Sequence, residues 1–70
     1  MVNYDKLRGA LVEKRVRAST IATRLGCSRQ TVYNKIHGRT TLTLGDVSTI
    51  CDLLDATASE RDAIFFSDER

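Results

Sequence analysis

Residues Ala18–Gly38 read ASTIATRLGCSRQTVYNKIHG, and this stretch decides the fold. Before Gly26, the apolar side chains of Ile21, Ala22 and Leu25 recur at i, i+1 and i+4; after it, Val32 and Ile36 recur at i and i+4. Each pattern is one face of an α-helix. Glycine enters left-handed backbone without a Cβ penalty, so Gly26 stops the first helix and Gly38 the second. The pattern predicts a helix over about Ala18 to Leu25, an inward-pointing Cys27, a Ser28 cap and a helix over about Arg29 to His37.

The flanks continue the helical pattern. Asn3 can cap a helix over about Tyr4 to Arg15, with Leu7 and Leu11 inward and Ala10 beside them. Gly9 costs that helix roughly 1 kcal/mol relative to Ala unless close packing needs the space. Val16 plugs the core before the next helix. After Gly38, Arg39 to Leu42 form a polar loop with one apolar anchor. Thr43-Leu44-Gly45-Asp46 is a capping box with Asp in place of the usual Glu or Gln. It opens a helix over about Leu44 to Leu54, with Val47, Ile50, Cys51 and Leu54 inward. Thr57-Ala58-Ser59-Glu60 is a second capping box and opens a helix over about Ala58 to Phe66. Ser67 to Arg70 is expected to fray. The expectation is an all-α, compact five-helix domain spanning 1–70.

Size and composition exclude several classes. Seventy residues make one domain, which buries only roughly 60% of its unfolded surface and has no room for a deep substrate cavity beside a core. No apolar run approaches the ~20 residues that span a bilayer, and no basic segment followed by an apolar one marks a secretory signal. The location expected is therefore the cytoplasm, with no membrane partner. Cys27 and Cys51 fall where the pattern wants small apolar residues, and they read as reduced thiols. His37 is the only His, and there is no CxxC or HxxxH pair. No metal, no cofactor and no enzyme chemistry is implied.

Charge is segregated. Residues 1–41 carry nine basic against two acidic side chains, a net +7, and residues 42–70 carry two against seven, a net −5. A basic half invites a polyanion, and an acidic half turns the rest of the molecule away from it. The second helix of the opening stretch carries Ser28, Arg29, Gln30, Thr31, Tyr33 and Asn34 beside its apolar pair. Arg can bind guanine at O6 and N7, and Gln or Asn can bind adenine at N6 and N7, each pair worth ~1–3 kcal/mol of discrimination. Arg29 and Gln30 sit at the end that reaches furthest into a major groove, with Asn34 one turn on. Tyr33 can reach a phosphate or a thymine methyl, and Ser28 and Thr31 suit caps and phosphates. Lys35, Arg39, Thr40, Thr41 and Arg17 flank the helix where phosphates would run. The plainer alternative is a solvated polar surface.

The spacing from Ala18 to Gly38 resembles the helix-turn-helix of lambda-type phage repressors, Cro proteins and their bacterial relatives. Ala22 stands at the family's small crossing residue, Gly26 at its turn glycine and Val32 at its buried lock. KIHG (Lys35 to Gly38) and the following TLTLGDVSTICDLL also fit, and the resemblance covers about residues 4 to 66. Two positions depart from it. Arg17 replaces a Ser or Thr cap, and Ala18 replaces a Gln that often touches a phosphate, a role Ser19 or Arg17 could take. The resemblance implies a sequence-specific regulator that binds a double-stranded operator in a bacterial host, at the nucleoid, as a homodimer at least on DNA. Relatives often dimerise through the C-terminal region. Here Ile64 or Phe65 is expected to pack inward, leaving Ala63 and Phe66 as a candidate dimer patch. The alternative is that both rings cover the first helix. The same fold also serves protein-interaction modules, such as repressor modulators or antitoxins, so a protein partner is the competing expectation.

Overall fold

In the computed structural model, which describes residues 1–67, the chain forms five helices and no strand: α1 (Tyr4–Glu13), α2 (Ala18–Leu25), α3 (Arg29–Ile36), α4 (Leu44–Leu54) and α5 (Ala58–Phe65). Residues 68–70, most of the expected frayed tail, lie outside the described residues.

Local chemistry sets where the helices begin. The side chains of Asn3, Ser28, Thr43 and Thr57 accept from the amides of Lys6, Thr31, Asp46 and Glu60. Each satisfies an amide that has no partner within its own helix. Both expected capping boxes form: Asp46 and Glu60 reach back to the amides of Thr43 and Thr57 at 3.0 Å. Arg17 opens α2 with no side-chain cap at all.

One backbone motif sets where four of them end. Arg15, Gly26, Gly38 and Asp55 take left-handed φ values of 58°, 71°, 77° and 52°. Just past each, an amide donates to the carbonyl five residues back: Val16 to Leu11, Cys27 to Ala22, Arg39 to Asn34 and Ala56 to Cys51, at 2.8–3.1 Å. This is the long bond of the Schellman closure. It corrects the expected reach of α1, which stops at Glu13 because Arg15 turns left-handed. Helices α3 and α5 each stop one residue short of the expected His37 and Phe66.

The core is drawn from every helix: Leu7 and Leu11, Ile21 and Ala22, Val32 and Ile36, Ile50 and Leu54, Ile64 and Phe65. Burial of each large aliphatic is worth about 1.5–3 kcal/mol. Ile64 and Phe65 both pack inward, where one of the two was expected, and Phe66 is left half-exposed. Helix α2 packs against α3 and α4, and α1 against α3 and α5. The Asn3 amide donates to the Ile64 carbonyl at 2.7 Å, tying the start of α1 to the end of α5.

Two cations, Arg8 of α1 and Lys14 just past its end, fasten other helices. Arg8 donates from Nη1 to the Ile36 carbonyl at 2.9 Å, and Lys14 donates from Nζ to the Leu54 carbonyl at 3.1 Å. Each places positive charge on the negative end of a helix, α3 and α4 respectively. The radius of gyration is 11.0 Å, close to the ~11 Å expected of a folded chain this long.

Candidate nucleic-acid interface

Helix α3 is built with an inside and an outside. Val32 and Ile36 are buried on one face, which seats the helix on α1 and α2. Arg29 and Gln30 are exposed, and Asn34 is half-buried one turn later. Gln30 donates from Nε2 to the Asn34 Oδ1 at 3.2 Å. That bond uses one Gln30 donor and the Asn34 oxygen, so the Asn34 NH₂ and the Gln30 carbonyl oxygen keep their hydrogen-bonding capacity. Tyr33 is exposed, its ring tilted against His37 with centroids 6.3 Å apart. The Ser28 hydroxyl lies 3.0 Å from that of Thr31, so both sit at the start of α3.

The first turns of the helices differ in charge. Asp5, Asp46 and Glu60 stand in the first turns of α1, α4 and α5, whereas α2 and α3 carry no acid there. A helix N-terminus holds roughly half a positive charge. In α2 and α3 that charge is not neutralised by a first-turn carboxylate, the condition an incoming phosphate needs.

The cations of the basic half divide into two sets. Lys6, Arg15, Arg17, Arg24, Arg29 and Arg39 are exposed and make no ion pair among the described residues. Ser19, Thr40 and Thr41 are exposed beside them. Arg8, Lys14 and Lys35 are committed within the molecule. Lys35 was expected among the phosphate contacts, but its Nζ lies 2.8 Å from the Asp46 Oδ2. Burial pushes the Asp46 carboxyl up, yet the bond from Lys35, the Thr43 amide and the Lys35 charge outweigh it and hold the group below the ordinary carboxylate range.

The expected dimer patch divides between two shallow depressions. Ala63 lines one between α1 and α5 with Gly9 and Ala10. Phe66 lines another between α4 and α5 with Leu44, Val47 and Cys51. Cys27 and Cys51 are free and half-buried, and burial raises the Cys51 thiol above its ordinary value. Among the described residues no group of His, Cys, Asp and Glu could hold a metal ion, and no helix is long and apolar enough to cross a membrane.

Sequence reasoning missed the supporting roles of Arg8 and Asp46. Asp46 carried a capping signal only, and Arg8 carried none, because its partner is a backbone carbonyl 28 residues away.

No curated protein and no solved structure matches the chain. A family model described as a helix-turn-helix domain matches residues 6–64, which take in most of α1 and α5 and everything between them. With α2, the Gly26 turn and α3 arranged as the lambda-repressor-like resemblance implied, the chain belongs to the helix-turn-helix domain family, a small all-α DNA-binding fold.

Proposed function

We propose that this domain is a sequence-specific transcription regulator of the phage repressor or Cro type, placing α3 in the major groove of a double-stranded operator. Arg29, Gln30 and Asn34 read bases. Arg17, Ser19, Ser28, Thr31, Tyr33, Arg39, Thr40 and Thr41 hold the backbone, and Lys35 leaves that set because its amine is taken by Asp46. The observation that carries this reading is the hydrogen-bonded Gln30–Asn34 pair beside an exposed Arg29. It stands on a helix whose N-terminus, like that of α2, carries no first-turn acid. The protein works in the cytoplasm of a bacterial host, at the nucleoid, as a homodimer at least on DNA, since two-fold pairing sets two α3 helices one DNA turn apart.

Selection from random duplexes at two salt concentrations tests the reading. One preferred sequence should emerge, with affinity falling steeply as salt rises, at a slope near −0.9 per phosphate neutralised. Gln30→Ala should then lose ~1–3 kcal/mol of discrimination at one base position. Undiminished discrimination would sink the assignment of Gln30.

A protein-interaction module is the second reading. It is favoured by Leu44 and Phe66, which are 81% and 53% exposed in the α4–α5 depression. An apolar protein interface would respond little to salt, so the same titration separates the two.

A further inference from the structure

We propose that Asp46 is a positioning residue for DNA recognition: with Lys35 and Thr43 it forms a clasp that sets the loop after α3 against the base-reading face of α3. This rests on the DNA-binding reading above.

The clasp centres on one carboxylate oxygen. Asp46 Oδ2 accepts from Lys35 Nζ at 2.8 Å and from the Thr43 amide at 3.0 Å. The Asp46 amide donates in return to the Thr43 hydroxyl at 3.1 Å. The side chains of Lys35 and Asp46 are only 18% and 11% exposed. A pair so shielded from water is held in one geometry, because parting it leaves a charge without its partner. The loop is fastened at its other end too, where the Asn34 carbonyl accepts from the Arg39 amide at 2.9 Å.

The loop is therefore tied to Asn34 and Lys35 on one side and to Thr43 and Asp46 on the other. Asn34 belongs to the proposed base-reading set, and Arg39, Thr40 and Thr41 to the proposed phosphate set. Their relative placement runs through the clasp. Base and phosphate contacts made by one rigid body must register together, and a bidentate base contact tolerates little displacement. Asp46 touches no DNA in this arrangement. It acts through Lys35 and the loop.

Three variants separate this role from plain stability. Asp46→Asn keeps an oxygen for the Thr43 amide and loses the charge that holds Lys35. Lys35→Met keeps the aliphatic stem. Asp46→Glu restores the carboxylate. Two measurements are made well below each variant's melting temperature. The first is amide hydrogen exchange by NMR on the free protein. Asp46→Asn should exchange the Arg39 and Thr43 amides roughly tenfold faster, with Leu11 in α1 unchanged. The second is the ratio of affinity for the tightest duplex recovered by selection to that for a random-sequence duplex of equal length. The ratio should fall roughly tenfold in Asp46→Asn and Lys35→Met, the loss of about one base contact, and return in Asp46→Glu. The salt slope of Lys35→Met should equal that of the parent.

A slope lower by about one in Lys35→Met overturns the proposal, because Lys35 would then be a phosphate ligand. An unchanged ratio in Asp46→Asn overturns it as well and leaves the carboxylate a helix cap. A parent chain that prefers no duplex overturns the DNA reading and this role with it. Faster loop exchange in Asp46→Asn would in that case show the clasp standing without the function.

Discussion

The helix-turn-helix segment and the helices around it end in the same way but with different residues. Helices α2 and α3 close on Gly26 and Gly38, whereas α1 and α4 close on Arg15 and Asp55. All four closures use the same five-residue hydrogen bond. Left-handed backbone costs an L-residue roughly 1–2 kcal/mol and costs glycine almost nothing. The helix-turn-helix segment therefore carries no left-handed strain at its helix ends, and the scaffold around it tolerates some. Other contacts offset that strain: Lys14 on the end of α4, and Val16 tucked against the core after α1.

Substituting the four left-handed positions tests this contrast. The largest effect belongs to Gly38. A Cβ there would be strained by its φ of +77° and would meet the Tyr4 ring at 3.0 Å. Gly38→Ala should cost about 2–3 kcal/mol in urea unfolding. At Gly26 nothing lies within 4 Å of such a Cβ, so Gly26→Ala carries the strain alone, about 1–2 kcal/mol. Equal losses at the two glycines would mean that the Tyr4 contact contributes nothing.

Acid tests the seam between the two regions, where Lys35 meets Asp46. The Asp46 carboxyl sits below its ordinary range in the folded chain. It therefore adds stability that is complete above the unfolded-state value and is lost as pH falls through the folded one. Melting temperatures followed from neutral pH to about pH 3 should fall less steeply in Asp46→Asn than in the parent. Parallel curves would remove Asp46 from the acid response.

The smallest effects run the other way. Arg15→Gly should stabilise by up to about 1 kcal/mol, since it relieves a left-handed position and leaves an exposed side chain behind. Asp55→Gly should gain less, roughly 0.5 kcal/mol, because Asp visits this backbone region more readily than Arg. A loss at Arg15 would show that its side chain, not its backbone, holds the end of α1.

The same contrast explains what the sequence could say. Gly26 and Gly38 announce their helix ends by residue type. Arg15 and Asp55 do not, and so α1 was expected to run to Arg15. Caps, boxes and apolar spacing are local signals, and Asn3, Ser28, Thr43 and Thr57 all act as read. The fates of the cations are not local. Arg8, Lys14 and Lys35 look like Arg17 and Arg39 in sequence, yet their partners lie 28, 40 and 11 residues away. Charge counting alone overstates the number of cations left for a polyanion. In the candidate site, the exposed face of α3 was legible from helical periodicity, but the Asp46 support beneath it was not.

The fasteners Arg8 and Lys14 bear on whether α3 can be moved to another protein. Helix α3 has only eight residues, too few to stand unaided in water. It leans on Arg8 at its last carbonyl and on Asp46 through Lys35, and the Tyr4 ring stands 3.0 Å from where a Cβ at Gly38 would lie. None of those three lies between Ala18 and Gly38. A transplant of the helix-turn-helix alone would carry the proposed base contacts Arg29, Gln30 and Asn34 without the frame that holds α3. A portable unit keeps all five helices, since α1 packs on α5 and Ile64 and Phe65 complete the core, and a designer who altered the exposed face of α3 would leave Tyr4, Arg8 and Asp46 untouched.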